Sequence, residues 1–173
     1  MDDPLPDKRS EPERIKNHHM PHAIHLKSIE AVPTAVVRSR VEPHQLSTFV
    51  PAACGEVWSF IRVAGIPGRG RHVALYQADH QVEVGAEVTG PFVGNDRIHC
   101  SQLPAGRVAT TTHFGSYAGL GEAHDEIRLW CEENGHPLTG ICWEIYGHWE
   151  EIWNADPSQI RTEVFHLLEE PAV

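Results

Sequence analysis

Basic residues are scarce in this chain. Lys and Arg number 14 against 24 Asp and Glu in 173 residues, a formal charge of −10. Nucleic-acid binding needs a basic face to displace counterions, and no basic cluster is present, which argues against direct contact with DNA or RNA. Long apolar runs are missing too. None approaches the roughly 18 residues a membrane helix needs, and the N-terminus is too polar for a secretory signal. The four cysteines, Cys54, Cys100, Cys131 and Cys142, are scattered with no CxxC pair. They read as reduced, buried thiols of a cytoplasmic protein. The nucleotide-binding GxGxxG and P-loop patterns and the HExxH metal pattern are absent. His124, Asp125 and Glu126 follow one another on a helix, but they make no ligand triad at metal spacing. No metal and no cofactor are therefore expected.

What is present is unevenly placed. Residues 1–22 hold five acids and four bases, and residues 23–121 hold seven acids and eight bases. Residues 122–170 hold twelve acids and two bases, Arg128 and Arg161, so the last third carries the charge imbalance. Residues 1–22 contain Pro4, Pro6, Pro12 and Pro21 among dense charges and read as a disordered tail. That tail runs into a histidine cluster, His18, His19, His22 and His25.

From residue 23 to 173 the chain reads as one folded domain that repeats itself. Gly65, Pro67, Gly70 and Tyr76 recur as Gly135, Pro137, Gly140 and Tyr146, all offset by 70. A duplication of this length implies two copies of one supersecondary unit. Repeat one spans about 23–90 and repeat two about 97–168. Each copy shows strand signals, a helix, and two further strands. In the first, Val50, Cys54, Val57, Ile61 and Ala64 make one apolar stripe at helical spacing, ended by Gly65. In the second, a helix from Tyr117 to Asn134 carries Leu120, Ala123 and Ile127. The expected fold is α+β: a pseudo-twofold duplicated β-α-β-β repeat forming an antiparallel sheet with two helices on one face.

Strand periodicity sorts the side chains. Ile141, Trp143 and Ile145 form one set, with Val73 and Leu75, and their apolar character assigns them to the helix side. The alternate set, Glu144 and Tyr146 with His72 and Tyr76, is then expected on the helix-free face, lining a groove there. A carboxylate among aromatics can attract a cation by charge and cation–π contact, or work as a general acid/base.

Four segments together resemble the GyrI-like effector-binding domain family: QVEVGAEV (81–88), LPAGRVATTTHFGSYAGLGEAHDEIRLWCEENG (103–135), WEIY (143–146) and RTEVFHLL (161–168). Their order and spacing carry the resemblance across about 140 residues. This family occurs alone, in gyrase-inhibitory-like chains, and as the C-terminal sensor of MerR-type and AraC-type regulators. The resemblance implies a groove for lipophilic, often cationic, small molecules. Its pocket glutamate matches Glu144, and its aromatic partners match Tyr146 and Tyr117; Tyr76 follows from the internal repeat. Trp149 and Trp153, in the loop after Tyr146, are expected either as a lid over the groove or as loop packing. The expected ligand-binding set is thus Glu144, Tyr146, Tyr117, Tyr76, His72, Trp149 and Trp153. Some family members are similar to hydrolases of cyclopropane-bearing electrophiles, a role open here to Glu144, Tyr146 and Tyr117. The acidic second repeat leaves a third role, docking on a protein partner such as gyrase or a regulator. A small-molecule-binding module is the favoured expectation.

Overall fold

The computed structural model describes residues 22–67 and 70–172. Most of the expected tail lies outside these residues. His22, the first described, packs inward, with its Nδ1 2.9 Å from the Glu126 carboxylate and its Nε2 3.2 Å from His113 Nδ1.

Eight strands and two long helices follow. The elements are β1 (His25–Ile29), β2 (Val32–Arg40), α1 (Leu46–Ala64), β3 (His72–Tyr76), β4 (Gln81–Glu87), β5 (Ile98–Leu103), β6 (Gly106–Phe114), α2 (Leu120–Glu133), β7 (Leu138–Tyr146), the short α3 (Ile152–Ala155) and β8 (Arg161–Leu168). Both long helices end as their glycines dictate. Gly65 and Gly135 take left-handed φ of 65° and 71°, a conformation that costs side-chain-bearing residues energy and glycine little.

All strands join one antiparallel sheet in the order β1-β6-β8-β7-β3-β4-β2-β5. The order is symmetric about the β7–β3 seam, as a duplicated unit requires. β1 and β5 exchange partners: each pairs with the second strand of the other repeat, β1 with β6 and β5 with β2. The strand β1 has no counterpart among the sequence expectations. Its five residues are mostly exposed and show no apolar alternation, so pairing with a distant strand makes it a strand.

Both helices pack on one face of the sheet, as expected. α1 buries Ala53, Cys54, Val57 and Ile61 against Ala35, Val37, Ala74, Val84 and Ala86. α2 buries Leu120, Ala123, Ile127 and Cys131 against Ala109, Val164 and Leu168.

The sorting into alternating sets holds, but the two faces are exchanged. Ala74, Tyr76, Glu144 and Tyr146 lie on the helix side, and Val73, Leu75, Trp143 and Ile145 lie on the other. A second core forms there, with Trp143 stacked on Phe165 at 5.3 Å and an interplanar angle of 7°. Neither long helix lies on that side, so Trp143 is buried by side chains of the sheet itself. The cluster accordingly draws in Ile29 of β1, Val32 of β2 and Leu103 of β5. The physical reason for the exchange is that alternation shows which residues share a face, not what covers it. Here both faces of the central strands are buried, so apolar content does not mark the helix side. The groove expected on the helix-free face lies instead between the helices.

Candidate functional site

Glu144 sits at the centre of the sheet, on β7, directly opposite Ala74 of β3. It is 5% exposed. A carboxylate so placed must be hydrogen-bonded or neutralised, and the fold does both. Tyr76 Oη donates to Oε2 at 3.0 Å, and Tyr146 Oη donates to the same oxygen. His124, on the inner face of α2, places Nε2 2.9 Å from Oε1. Its other ring nitrogen, Nδ1, lies 2.9 Å from Nε2 of His166 on β8.

The network assigns the protons. Burial alone lowers the pKa of His124, but the nearby Cys142 sulfur and the hydrogen bond and charge of Glu144 outweigh it and lift the value to about 9. An imidazolium at His124 donates to Glu144 on one side and to His166 on the other. His166 is the matching acceptor: burial, then the charge of His124 and of Arg128, push its pKa down to about 3. The phenols of Tyr76 and Tyr146 are raised well above their ordinary value by burial and by the Glu144 charge, so both remain donors. The floor of the site is therefore an ion pair, Glu144⁻ with His124⁺, rather than a bare carboxylate.

Beside this floor opens a cavity of about 760 Å³, within the range of small-molecule sites. Tyr76, His124, Cys142 and Glu144 form its inner wall. Leu46 at the start of α1, Val41 and Pro43 just before it, and Val82 supply apolar surface. The mouth carries Arg40, Asp79, Asp125 and Arg128, the last two paired at 2.6 Å.

The residues expected from sequence divide into two groups. Glu144, Tyr146 and Tyr76 converge through hydrogen bonds, and Tyr117 stands edge-on to Tyr146, with ring centroids 5.6 Å apart. Neither Tyr146 nor Tyr117 lines the cavity. The others lie elsewhere. His72 turns towards α1, edge-on to Trp58 at 5.9 Å. Trp153 is buried against a separate, smaller cavity on the helix-free face, beside Arg71, Ile145 and Glu163. Trp149 packs edge-on against Trp153 at 5.4 Å. The two tryptophans pack their own loop and form no lid over Glu144.

Sequence reasoning missed His124, Cys142 and His166 as a group. Linear spacing hides them, because they come from α2, β7 and β8. One donor atom from each lies within 4.8 Å of the others, and all three residues are buried. A signal was available: His124 and Cys54, 70 residues apart, occupy the same place on the buried stripe of their helices. A histidine on that stripe needs a polar partner inside the protein.

Comparison with known proteins bears on the family and the fold. The profile described as the GyrI-like small molecule binding domain matches residues 22–166. Among curated protein sequences none matches significantly. Among solved structures, the EcmrR C-terminal domain is similar at 24% identity and a TM-score of 0.67, covering 88% of this chain and all of that one. In the EcmrR–DNA complex the likeness spans 60% of the EcmrR chain. SAV2435 bound to tetraphenylphosphonium is similar at 11% identity and a TM-score of 0.59, covering 85% of this chain and 94% of that one. A hydrolase encoded by lin2189 from Listeria innocua is similar at 12% identity and a TM-score of 0.52, covering 87% and 94%. At these identities the likeness to solved structures is one of fold.

Proposed function

The chain belongs to the GyrI-like small-molecule-binding domain family, and from that premise we propose that it takes a lipophilic guest, uncharged or singly cationic, into the cavity between α1 and α2. The observation that carries this reading is Glu144, a buried carboxylate at the sheet centre whose side chain reaches the cavity wall beside Tyr76. Tyr76 offers a ring face, the start of α1 offers apolar surface, and Glu144 offers the charge. The ion pair with His124 tempers that charge, which is why an uncharged aromatic guest fits as well as a cationic one. The tetraphenylphosphonium bound to SAV2435 is a guest of this type. All four cysteines are free, and no helix among the described residues is long and apolar enough to cross a membrane. Cytoplasmic residence is part of the proposal.

Hydrolysis is the other chemistry such a carboxylate can serve. It draws less support here, because Glu144 already accepts three hydrogen bonds, two at Oε2 and one at Oε1, so a single acceptor site is left for an attacking water.

Isothermal titration tests the binding reading, with tetraphenylphosphonium and an uncharged triphenyl compound as probes and a chelator in the buffer. Heat is the better readout, since no tryptophan lines the cavity. At least one probe is expected to bind at one site per chain. Glu144→Gln is expected to weaken the cation by about tenfold or more, roughly 1.4 kcal/mol. No saturable heat from either probe, or identical isotherms for the variant, would sink the proposal.

A further inference from the structure

We propose that His124, Cys142 and His166 bind one thiophilic divalent d-block ion, Zn²⁺ first among them, at the floor of the cavity, with Glu144 orienting His124 from behind. Three observations lead there. First, the donors are buried together. Cys142 and His166 are direct cross-strand partners on β7 and β8, and His124 comes down onto them from α2. Their exposures are 7%, 3% and 7%, and their donor atoms all lie within 4.8 Å of one another. Among the described residues no other group of three such donors comes together.

Second, the two imidazole nitrogens already stand close to the separation of a coordinated pair. Bonds of about 2.0 Å to nitrogen and 2.3 Å to sulfur at tetrahedral angles separate two nitrogens by about 3.3 Å, and nitrogen from sulfur by about 3.6 Å. His124 Nδ1 and His166 Nε2 are 2.9 Å apart. To seat the ion in place of the shared proton, the two rings part by a few tenths of an ångström and turn so that both lone pairs meet at one point, and the Cys142 sulfur, within 4.8 Å of both nitrogens, closes by up to about 1.2 Å.

Third, Glu144 supplies the support a metal-binding histidine requires. Histidines that bind metal commonly donate their second ring N–H to a carboxylate, which fixes the tautomer and strengthens the other nitrogen as a donor. His124 Nε2 donates to Glu144 Oε1 at 2.9 Å, which leaves Nδ1 to point at His166. That carboxylate is itself held by Tyr76 and Tyr146.

The donor chemistry selects the ion. Two imidazoles and a thiolate favour Zn²⁺ and its neighbours over Mg²⁺ and Ca²⁺, which prefer oxygen. Three protein ligands leave a fourth position. Because His124 and Cys142 line the cavity, that position opens into it, available to water or to a donor atom of a guest. The metal site shares the cavity with the proposed organic guest but does not depend on that guest binding.

The full chain without a polyhistidine tag, stripped with chelator, is titrated with Co²⁺ as an optical stand-in for Zn²⁺. His18, His19, His22 and His25 are rival nitrogen donors, but they cannot produce a thiolate-to-cobalt charge-transfer band. One equivalent of Co²⁺ is expected to raise that band in the near ultraviolet, along with the strong visible absorption of a four-coordinate ion. Zn²⁺ is expected to bleach both. Cys142→Ser should abolish the band, while Cys54→Ser and Cys100→Ser keep it. Glu144→Gln should retain the band with Co²⁺ affinity lowered about 10–100-fold; undiminished affinity would overturn the orienting role of Glu144. Absence of the band in the unsubstituted protein overturns the site, as does a band that survives Cys142→Ser. The first of these readings needs no variant, so a Cys142→Ser chain that fails to fold leaves the test intact. The organic probes are titrated in chelator, so the two proposals stand or fall separately.

Discussion

The two halves of the sheet share one backbone plan and differ in what they bury. On the helices, Ala53, Cys54, Val57 and Ile61 in the first half correspond to Ala123, His124, Ile127 and Cys131 in the second, and every one of these is buried. On the sheet, Ala74 faces Glu144 directly across the seam, and Tyr76 answers to Tyr146. The matched registers of the two hairpins make Ala86 the counterpart of His166. At three equivalent places the first half buries Cys54, Ala74 and Ala86 where the second buries His124, Glu144 and His166. The first half becomes a dry apolar core around α1, and the second becomes a charged, hydrogen-bonded floor. The duplicated backbone supplies a frame, and three side chains turn one copy of it into a site.

The comparison can be broken first on the helix-free face. Trp143 and Val73 are counterparts there, both fully buried. Trp143→Ala is expected to cost about 3–5 kcal/mol, and Val73→Ala about 2 kcal/mol at the methylene rate. Urea unfolding midpoints, at unchanged m-value, read the difference. Equal losses would mean that the second core is not centred on Trp143.

The charged floor comes next. Glu144→Ala leaves the His124 imidazolium buried without its partner, a change expected to cost about 3–5 kcal/mol. Making the second half read like the first, with His124→Cys, Glu144→Ala and His166→Ala together, removes the stranded charge as well. The triple variant is expected to be more stable than the sum of the single losses by about 0.5–3 kcal/mol. Strict additivity would show that the three groups do not act as one network.

The smallest effect concerns Cys54, which holds the place of His124 in the dry half. Burial pushes its thiol up to about 12. At pH 9 the native chain is expected to take iodoacetamide at the exposed Cys100 and to leave Cys54 unmodified, as peptide mass spectrometry would show. Modification of Cys54 at a comparable rate would mean that the first half opens as readily as a surface strand.

Much of this was legible in the chain itself. The offset of 70 residues, the helix stripes and the glycine stops located both repeats, and WEIY singled out Glu144 with Tyr146. The faces were not legible, because Trp143 and Glu144 are adjacent on a strand buried on both sides. Nor were the partners of Glu144. His124 stands 20 residues before it and His166 stands 22 after it, and only the packing of α2 on the sheet brings His124 to Glu144 and His166 to His124. Trp149 and Trp153 are the converse case: near Tyr146 in sequence, they pack against each other on the far side of the sheet.

Local periodicity and internal repetition are properties of the chain alone, and they determined the duplicated α+β plan; the resemblance of four segments, WEIY among them, pointed to the family and to the central carboxylate. Tertiary structure decided which side of the sheet holds the site, how the carboxylate is neutralised, and that a thiol and two imidazoles meet beside it. Those outcomes depend on what covers each face and on contacts between distant segments, quantities set by how the layers pack and not by the spacing of residues along one strand or helix.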